Sequence, residues 1–316
     1  MAARRIAIIC LLDCLCLCWL PGNAMALSTA DAMEPVSPEK PCSLTLSYTC
    51  NGVTFENLPV KLYRVASVSA DAQYTLTPQF QSSGLEINGI QTSGEWDVIR
   101  SSLEAHILAA GIAPDYVSAT DADGQACFSD LMPGLYLVAA VHTEQEGWCY
   151  SFRSALIALP GLDESGLWLY DIAAAPKPEI LPPTEPDELQ LQVLKLWKDE
   201  GHENSRPESI AVEIFRNGES YEIVTLSQEN NWTYRWTAPA DGAQWMVVER
   251  NIPEGYTVTV ESRSTTFILT NSIPKDPTPG TPQTGDSTNI LSAVVLLSLS
   301  GMGLILLGIF RKRLEA

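Results

Sequence analysis

The sequence predicts an all-β chain: two tandem Greek-key β-sandwich domains, the first with a short helical insertion. A signal peptide precedes them and a C-terminal transmembrane helix follows. Three observations carry this reading. Short runs of β-branched and aromatic residues recur between turn dipeptides, two proline-rich stretches divide the chain, and an apolar segment stands at each end.

The N-terminal segment opens with Arg4 and Arg5 and runs from Ile6 to Leu20 almost wholly apolar, interrupted by Asp13. The breaker Pro21-Gly22 and the small-residue pattern Ala24-Met25-Ala26 follow. A basic start, an apolar middle and an A-x-A end describe a secretory signal peptide over residues 1–26, cut after Ala26. Cys10, Cys14, Cys16 and Cys18 leave with it. At the other end, Ile290 to Phe310 is long enough to cross a bilayer. The Arg311-Lys312-Arg313 cluster behind it stays cytoplasmic by the positive-inside rule.

Removing those ends takes away five basic and three acidic side chains and moves the formal net charge from −19 to −21. So acidic a surface excludes nucleic acid and anionic lipid as partners. The histidines His106, His142 and His202 are scattered without metal-ligand spacing. With no phosphate loop and no nucleophile elbow either, the sequence predicts neither metal, cofactor nor enzymatic activity.

Ala175–Glu188 and Ser272–Pro282 are too rich in proline to hold helix or central strand. They set a first domain at 40–177, a linker at 178–188, a second domain at 189–272, a spacer at 273–281 and a terminal segment at 281–316. In the second domain LQLQVLKLW, SIAVEIF, YEIVTL, WTYRWT, QWMVVER, YTVTVE and STTFILT read as strands separated by turns such as Asn217-Gly218 and Asp241-Gly242. About seven strands at that spacing suggest a Greek-key sandwich. The first domain shows SLTLSYTC, PVKLYRVASV, ACFSDL, GLYLVAAV, SALIAL and LWLYDIAA. Within it Trp96, Ile99, Leu103, Ile107 and Ala110 fall on one face at helical period, an amphipathic helix that core packing explains.

All four cysteines of the mature chain, Cys42, Cys50, Cys127 and Cys149, lie in the first domain. An even count in an exported chain predicts two disulfides, for which three connectivities are possible. Cys42 and Cys50 stand at opposite ends of one apparent strand, too far apart to bond if it is extended. Each would then pair with Cys127 or Cys149.

Lys195-Leu-Trp197-Lys-Asp199, Arg206-Pro207-Glu208-Ser209-Ile210, Asn230-Asn231-Trp232, Glu249, Pro253-Glu-Gly255-Tyr256 and Thr270-Asn271 follow one another in a recognisable order. In order and spacing they resemble the Cna B-type domain of collagen adhesins and Gram-positive pilins, an Ig-like or prealbumin-like sandwich. The first domain is similar to the SpaA-like pilin relative of that fold, through Phe128-Ser-Asp-Leu131 and Pro133-Gly134-Leu-Tyr136. The resemblance implies an intramolecular isopeptide bond in the second domain. Lys195 would be the amine, Asn271 the acceptor and Glu249 the assisting acid, with Glu213 as the alternative acid. The first domain has Ala175 where the family places its last-strand asparagine, and Ala139 and Ala140 where the acid follows, so no such bond is expected there.

Pro282-Gln283-Thr284-Gly285-Asp286, ahead of the apolar run and basic tail, resembles the Leu-Pro-x-Thr-Gly cell-wall sorting signal, with Thr281 in place of leucine. This implies that a sortase cuts between Thr284 and Gly285, holds the Thr284 carbonyl as a thioester and passes it to an amine, cell-wall peptidoglycan being one acceptor. The chain would be secreted, held transiently in the membrane through residues 290–310 and covalently anchored to the wall. Trp168, Ile172, Pro176 and Lys177 also resemble the pilin motif, with Ala175 in place of tyrosine and Pro178 where asparagine is common. In pilins that lysine receives the thioester of a neighbouring subunit. Two functions follow from the resemblance: a structural pilin subunit or stalk, or an adhesin that binds a host or matrix protein through the first domain.

Overall fold

The computed structural model describes residues 34–163, 165–181 and 188–273. The expected signal peptide and the expected sorting segment, with Thr284, Gly285 and the apolar run 290–310, lie outside them. Among the described residues no helix is long and apolar enough to cross a membrane.

The described chain is built of β-sheets, as its alternating pattern requires. In the first domain, strand Cys42–Ser47 buries every second residue, Cys42, Leu44 and Leu46. It lies between Asp171–Ala174, which runs parallel to it, and Gln125–Leu131, which runs antiparallel. The facing sheet is ordered Ala155–Leu159, Gly134–Val138, Pro59–Val68, Tyr74–Leu76. Tyr48, Phe55, Tyr150 and Phe152 meet edge to face in the core, with ring centroids 4.7 to 5.3 Å apart. Strand Pro59–Val68 is apolar on both faces because it is covered on both. Val60 and Leu62 look into the sandwich, while Tyr63 and Val65 pack under a helix.

Strand Gly134–Val138 passes a bulge in that central strand between Arg64 and Ala66. A Cβ at Gly134 would stand 2.1 Å from the Ala66 carbonyl oxygen, closer than atoms can pack. Gly134→Ala is therefore expected to cost about 3 kcal/mol or more, as backbone must move to relieve the overlap. Chemical denaturation measures this, and an unchanged midpoint would show that the strand shifts freely.

The helix is Ser93–Ala110. Thr92 and Glu95 form a reciprocal capping box at its start, and Gly111 in the left-handed region (φ 62°) ends it. Ile99, Leu103 and Ile107 enter the first domain's core as the period predicts, while Trp96 is half-buried and Ala110 is exposed. The expectation that core packing accounts for this helix covers only one of its faces. Ala105 and Leu108 belong to the core of the second domain, and the helix packs on strands Trp245–Glu249 and Thr257–Arg263 there.

The expected linker is also shorter than its prolines suggest. Pro178–Leu181 is a strand paired with Trp148–Phe152, Phe152 opposite Pro178 and Cys149 opposite Leu181. Proline is tolerated there because it stands first in an edge strand. The second domain has two sheets, as expected. One is ordered Thr233–Pro239, Glu188–Lys198, Thr266–Ser272, Thr257–Arg263, and the other Glu219–Ser227, Ser209–Arg216, Trp245–Glu249. Its first and last strands run side by side in parallel, with Lys195 opposite Leu269 and Trp197 opposite Asn271. That pairing is what brings the two ends of the domain together.

Candidate functional site

Strand Glu188–Lys198 alternates so that Leu191, Val193 and Lys195 share its inner face. The same alternation along Thr266–Ser272 turns Phe267, Leu269 and Asn271 inward. Glu249 ends strand Trp245–Glu249 on the opposing sheet, opposite Val212 of the neighbouring strand. The interior thus receives an amine, an amide and an acid from three strands. The Lys195 and Glu249 side chains are 0% exposed, and Asn271 is 0% exposed as a whole residue.

Asn271 Nδ2 donates to Glu249 Oε1 at 2.9 Å, and Lys195 Nζ stands 3.5 Å from Glu249 Oε2. The second contact is an ion-pair approach rather than a hydrogen bond, since Oε2 has no hydrogen-bond partner. Lys195 Nζ donates to the Leu196 carbonyl at 3.1 Å and lies 4.2 Å from the centre of the Trp197 ring. Burial pushes the Lys195 ammonium down to about 8, with Glu249 pulling the other way. Burial likewise raises the Glu249 carboxyl, against the pull of Lys195 and of the Asn271 amide. Both shifts favour a neutral amine beside a protonated acid, the state in which an amine is nucleophilic and an acid can donate. Asn271 Oδ1 has no hydrogen-bond partner, so its carbonyl is open to a donor.

A second cluster closes this chamber at the end of the strand. Trp197 meets Trp232 and Tyr256 edge to face at 5.4 and 5.3 Å. Arg206 forks onto the buried Asp199 through Nε at 2.9 Å and Nη2 at 2.5 Å, and Tyr256 Oη donates to the same carboxylate at 2.7 Å. These charge-assisted bonds fix the turn that follows Trp197 and hold its ring over Lys195. In the sequence the same residues are only family markers, and nothing in their spacing says that they form a lid.

The Arg206 and Tyr256 hydrogen bonds hold the Asp199 carboxyl down at about 2 against its desolvation. Because the folded value lies below the unfolded one, the stabilisation is complete above the usual carboxylate value of about 4 and is lost as pH falls toward 2. Thermal melts across that window should show a drop that Asp199→Asn flattens. Parallel curves for the two proteins would contradict this assignment.

Glu213, the alternative acid, is not part of the site. It neighbours Val212, which stands opposite Glu249, and therefore projects to the other side of its strand. There its carboxylate is held by Ser220 and Arg250.

All four cysteines among the described residues are free thiols, so neither expected disulfide is formed. Cys42 lies inside the core, where burial pushes its thiol up to about 11. Cys127 is exposed on the adjoining strand opposite Thr45, and Cys149 stands at the edge opposite Leu181. Cys42 shares the inward face of its strand with Leu44 and Leu46 whereas Cys127 shares the outward face with Thr45, so the two thiols lie on opposite sides of one sheet. Cys50 is half-buried in the short strand Thr49–Cys50. The first domain's own parallel pair, Cys42–Ser47 with Asp171–Ala174, carries neither lysine nor asparagine and so lacks the parts for a cross-link.

Lys177 is exposed at the junction between strands Asp171–Ala174 and Pro178–Leu181. Ala174, Ala175, Pro176 and Lys177 line a cleft of about 270 Å³ together with Leu46 and Ile157. Of the motif's further members, Ile172 packs against the core and Trp168 donates through Nε1 to the Glu34 carbonyl at 2.6 Å.

Among curated proteins, the chain is 32% identical over 101 residues to a collagen adhesin of Staphylococcus aureus, a stretch covering 29% of this chain and 8% of that protein. The chain thus matches only a small part of the length of that relative. Among solved structures it is similar to a single B repeat unit of the collagen-binding surface protein Cna of S. aureus, at 15% identity and a TM-score of 0.26, covering 74% of this chain and 98% of that one. It is also similar to the full-length major pilin SpaD of Corynebacterium diphtheriae, at 12% identity and a TM-score of 0.28, covering 75% and 65%. A streptococcal ancillary pilin matches at 14% identity and a TM-score of 0.25, covering 78% and 65%. Residues 191–272, which include Lys195, Glu249 and Asn271, match the family model of the Cna protein B-type domain.

Proposed function

We propose that this is a sortase-anchored structural protein of the cell surface, a pilin subunit or stalk, whose second domain is locked by an isopeptide bond between Lys195 and Asn271. The observation that carries this is the dry convergence of Lys195, Glu249 and Asn271. In the reaction the neutral Lys195 Nζ attacks Cγ of Asn271 while Glu249 gives a proton toward the amide. The new C–N bond forms, the bond from Cγ to Nδ2 breaks, the nitrogen leaves as ammonia with the one proton that Glu249 gave it, and the lysine nitrogen returns one proton to Glu249. Glu249 ends the cycle with its proton restored. No cofactor, metal or external reagent is needed. The product joins the first and last strands, so a pull along the chain is borne by a covalent bond and not by the ladder between them. The intact mass of the mature protein tests it: one ammonia lighter than encoded supports the bond, and the full encoded mass removes it.

Outside the described residues, the sorting signal supplies the other half of this reading. A sortase releases Gly285, and an amine takes the Thr284 carbonyl. Cell-wall peptidoglycan as acceptor makes a wall-anchored stalk, whereas Lys177 of a neighbouring subunit makes a fibre. The exposure of Lys177 at a domain end favours the fibre. Adhesion to a host or matrix protein is the second reading. It is favoured by an open cleft of about 550 Å³ in the first domain, lined by Tyr74, Trp96, Arg100, Arg153 and Leu156 among others.

A further inference from the structure

We propose that helix Ser93–Ala110 of the first domain is the side wall of the second domain's cross-linking chamber, so that the Lys195–Asn271 bond forms only while the two domains are docked. The proposal rests on the cross-link reading above and adds what controls it.

The sandwich of the second domain has an open side where Trp245–Glu249 and Thr257–Arg263 each end their sheet. One of these strands contributes to the site and the other adjoins it. The first carries Glu249, and Val258 of the second stands opposite Asn271. The helix packs on both of them. Its Ser102 Oγ, inside the contact, accepts from the Val260 amide at 2.8 Å, giving an edge-strand donor the partner that a further strand would have supplied. Ala105 is 6% exposed and belongs to the second domain's core, with Leu108 beside it. Ser102, Ala105 and Leu108 follow helical spacing on a face distinct from Ile99, Leu103 and Ile107. Small residues at Ser102 and Ala105 let the helix axis come close to the strands. A second contact steadies the docking, since Gln244 Nε2 of the second domain donates to Ser151 Oγ at 3.1 Å and to the Phe152 carbonyl at 3.0 Å.

The chemical consequence follows from desolvation. With the helix removed, water reaches the gap between the two sheet edges, solvates the ammonium and the carboxylate, and returns each group to its charged form. A protonated amine has no lone pair with which to attack. Bond formation in the second domain would therefore await a folded, docked first domain, an order that suits a chain whose N-terminal domain is synthesised first.

The experiment uses the full mature chain, residues 27–284, with two readouts: intact mass for the bond and hydrogen exchange of the Val260 amide for docking. Ala105→Glu and Ser102→Asp place a charge on the docking face and leave Ile99, Leu103 and Ile107 untouched. Ala109→Glu, on the exposed side of the same helix, is the control. Ala105→Glu and Ser102→Asp are expected to speed Val260 exchange on the order of tenfold or more and to leave most of the protein at its full encoded mass. Unsubstituted chain and Ala109→Glu should both be one ammonia lighter. Fast Val260 exchange with complete bonding would overturn the proposal, as would unchanged exchange in both docking variants. An unsubstituted chain at full mass sinks the cross-link reading itself and is recognised without any variant.

Discussion

Lys195→Ala should leave the protein at its full encoded mass and lower the stability of the second domain by about 4.5 kcal/mol. That figure is the chain-entropy value for closing a loop as long as the one between Lys195 and Asn271. For a domain of this size it corresponds to a fall in Tm of roughly 15–30 °C. Two further substitutions separate the bond from the packing. Glu249→Gln keeps the side-chain volume but removes the acid, and is expected to give an unbonded chain with the same loss. Asn271→Ala removes the electrophile and should do likewise, with Glu249 left without its amide donor. The three losses should not add, because each removes the same single bond. A bonded mass in Glu249→Gln would remove Glu249 from the chemistry, and the full encoded mass in the unsubstituted chain would mean that the trio is an ordinary buried polar cluster. In that cluster, truncating one partner of a buried ion pair still costs 3–5 kcal/mol. Stability alone is therefore not decisive, and the mass is.

Lys177→Ala is expected to abolish the high-mass ladder in cell-wall extracts while leaving the monomer attached to the wall. The effect is all or none, since each subunit would offer one amine to the Thr284 thioester of the next. Pro176 lacks a backbone donor and Pro178 opens the next strand, so Lys177 sits between two strands and belongs to neither. The amine stands exposed beside a cleft that an incoming segment could reach. Persistence of the ladder in Lys177→Ala would move the linkage to another amine. A wild-type extract with no ladder at all would make the protein a wall-anchored stalk, and binding to purified matrix proteins would then be the measurement that decides for adhesion.

Much of the candidate site is legible in the sequence. Lys195, Glu249 and Asn271 are named by spacing within a family pattern, and the strands that hold them have the period of two that turns them inward. The choice between Glu249 and Glu213 was not legible. Both are glutamates on apolar strands, and only the pairing of Val212 with Glu249 shows that Glu213 faces away. The lid was not legible either. Asp199, Arg206 and Tyr256 are separated along the chain and meet only because the turn after Trp197 folds back under the Pro253–Tyr256 loop.

The features legible along the chain are therefore local and periodic: strands where β-branched residues alternate, breaks where proline and glycine collect, a helix where Ile99, Leu103 and Ile107 recur. These follow from backbone sterics and from the burial of one face, which neighbours along the chain suffice to specify. Tertiary structure alone decided what depends on residues distant in sequence. It left the cysteines unpaired by turning Cys42 inward and Cys127 outward, and it drew Pro178–Leu181 out of the linker into a sheet. It also laid the second face of helix Ser93–Ala110 on the neighbouring domain. Ser102 and Ala105 lead that face beside Leu108, and they read as solvent-facing in sequence because their burial requires no apolar bulk, only a partner able to approach closely.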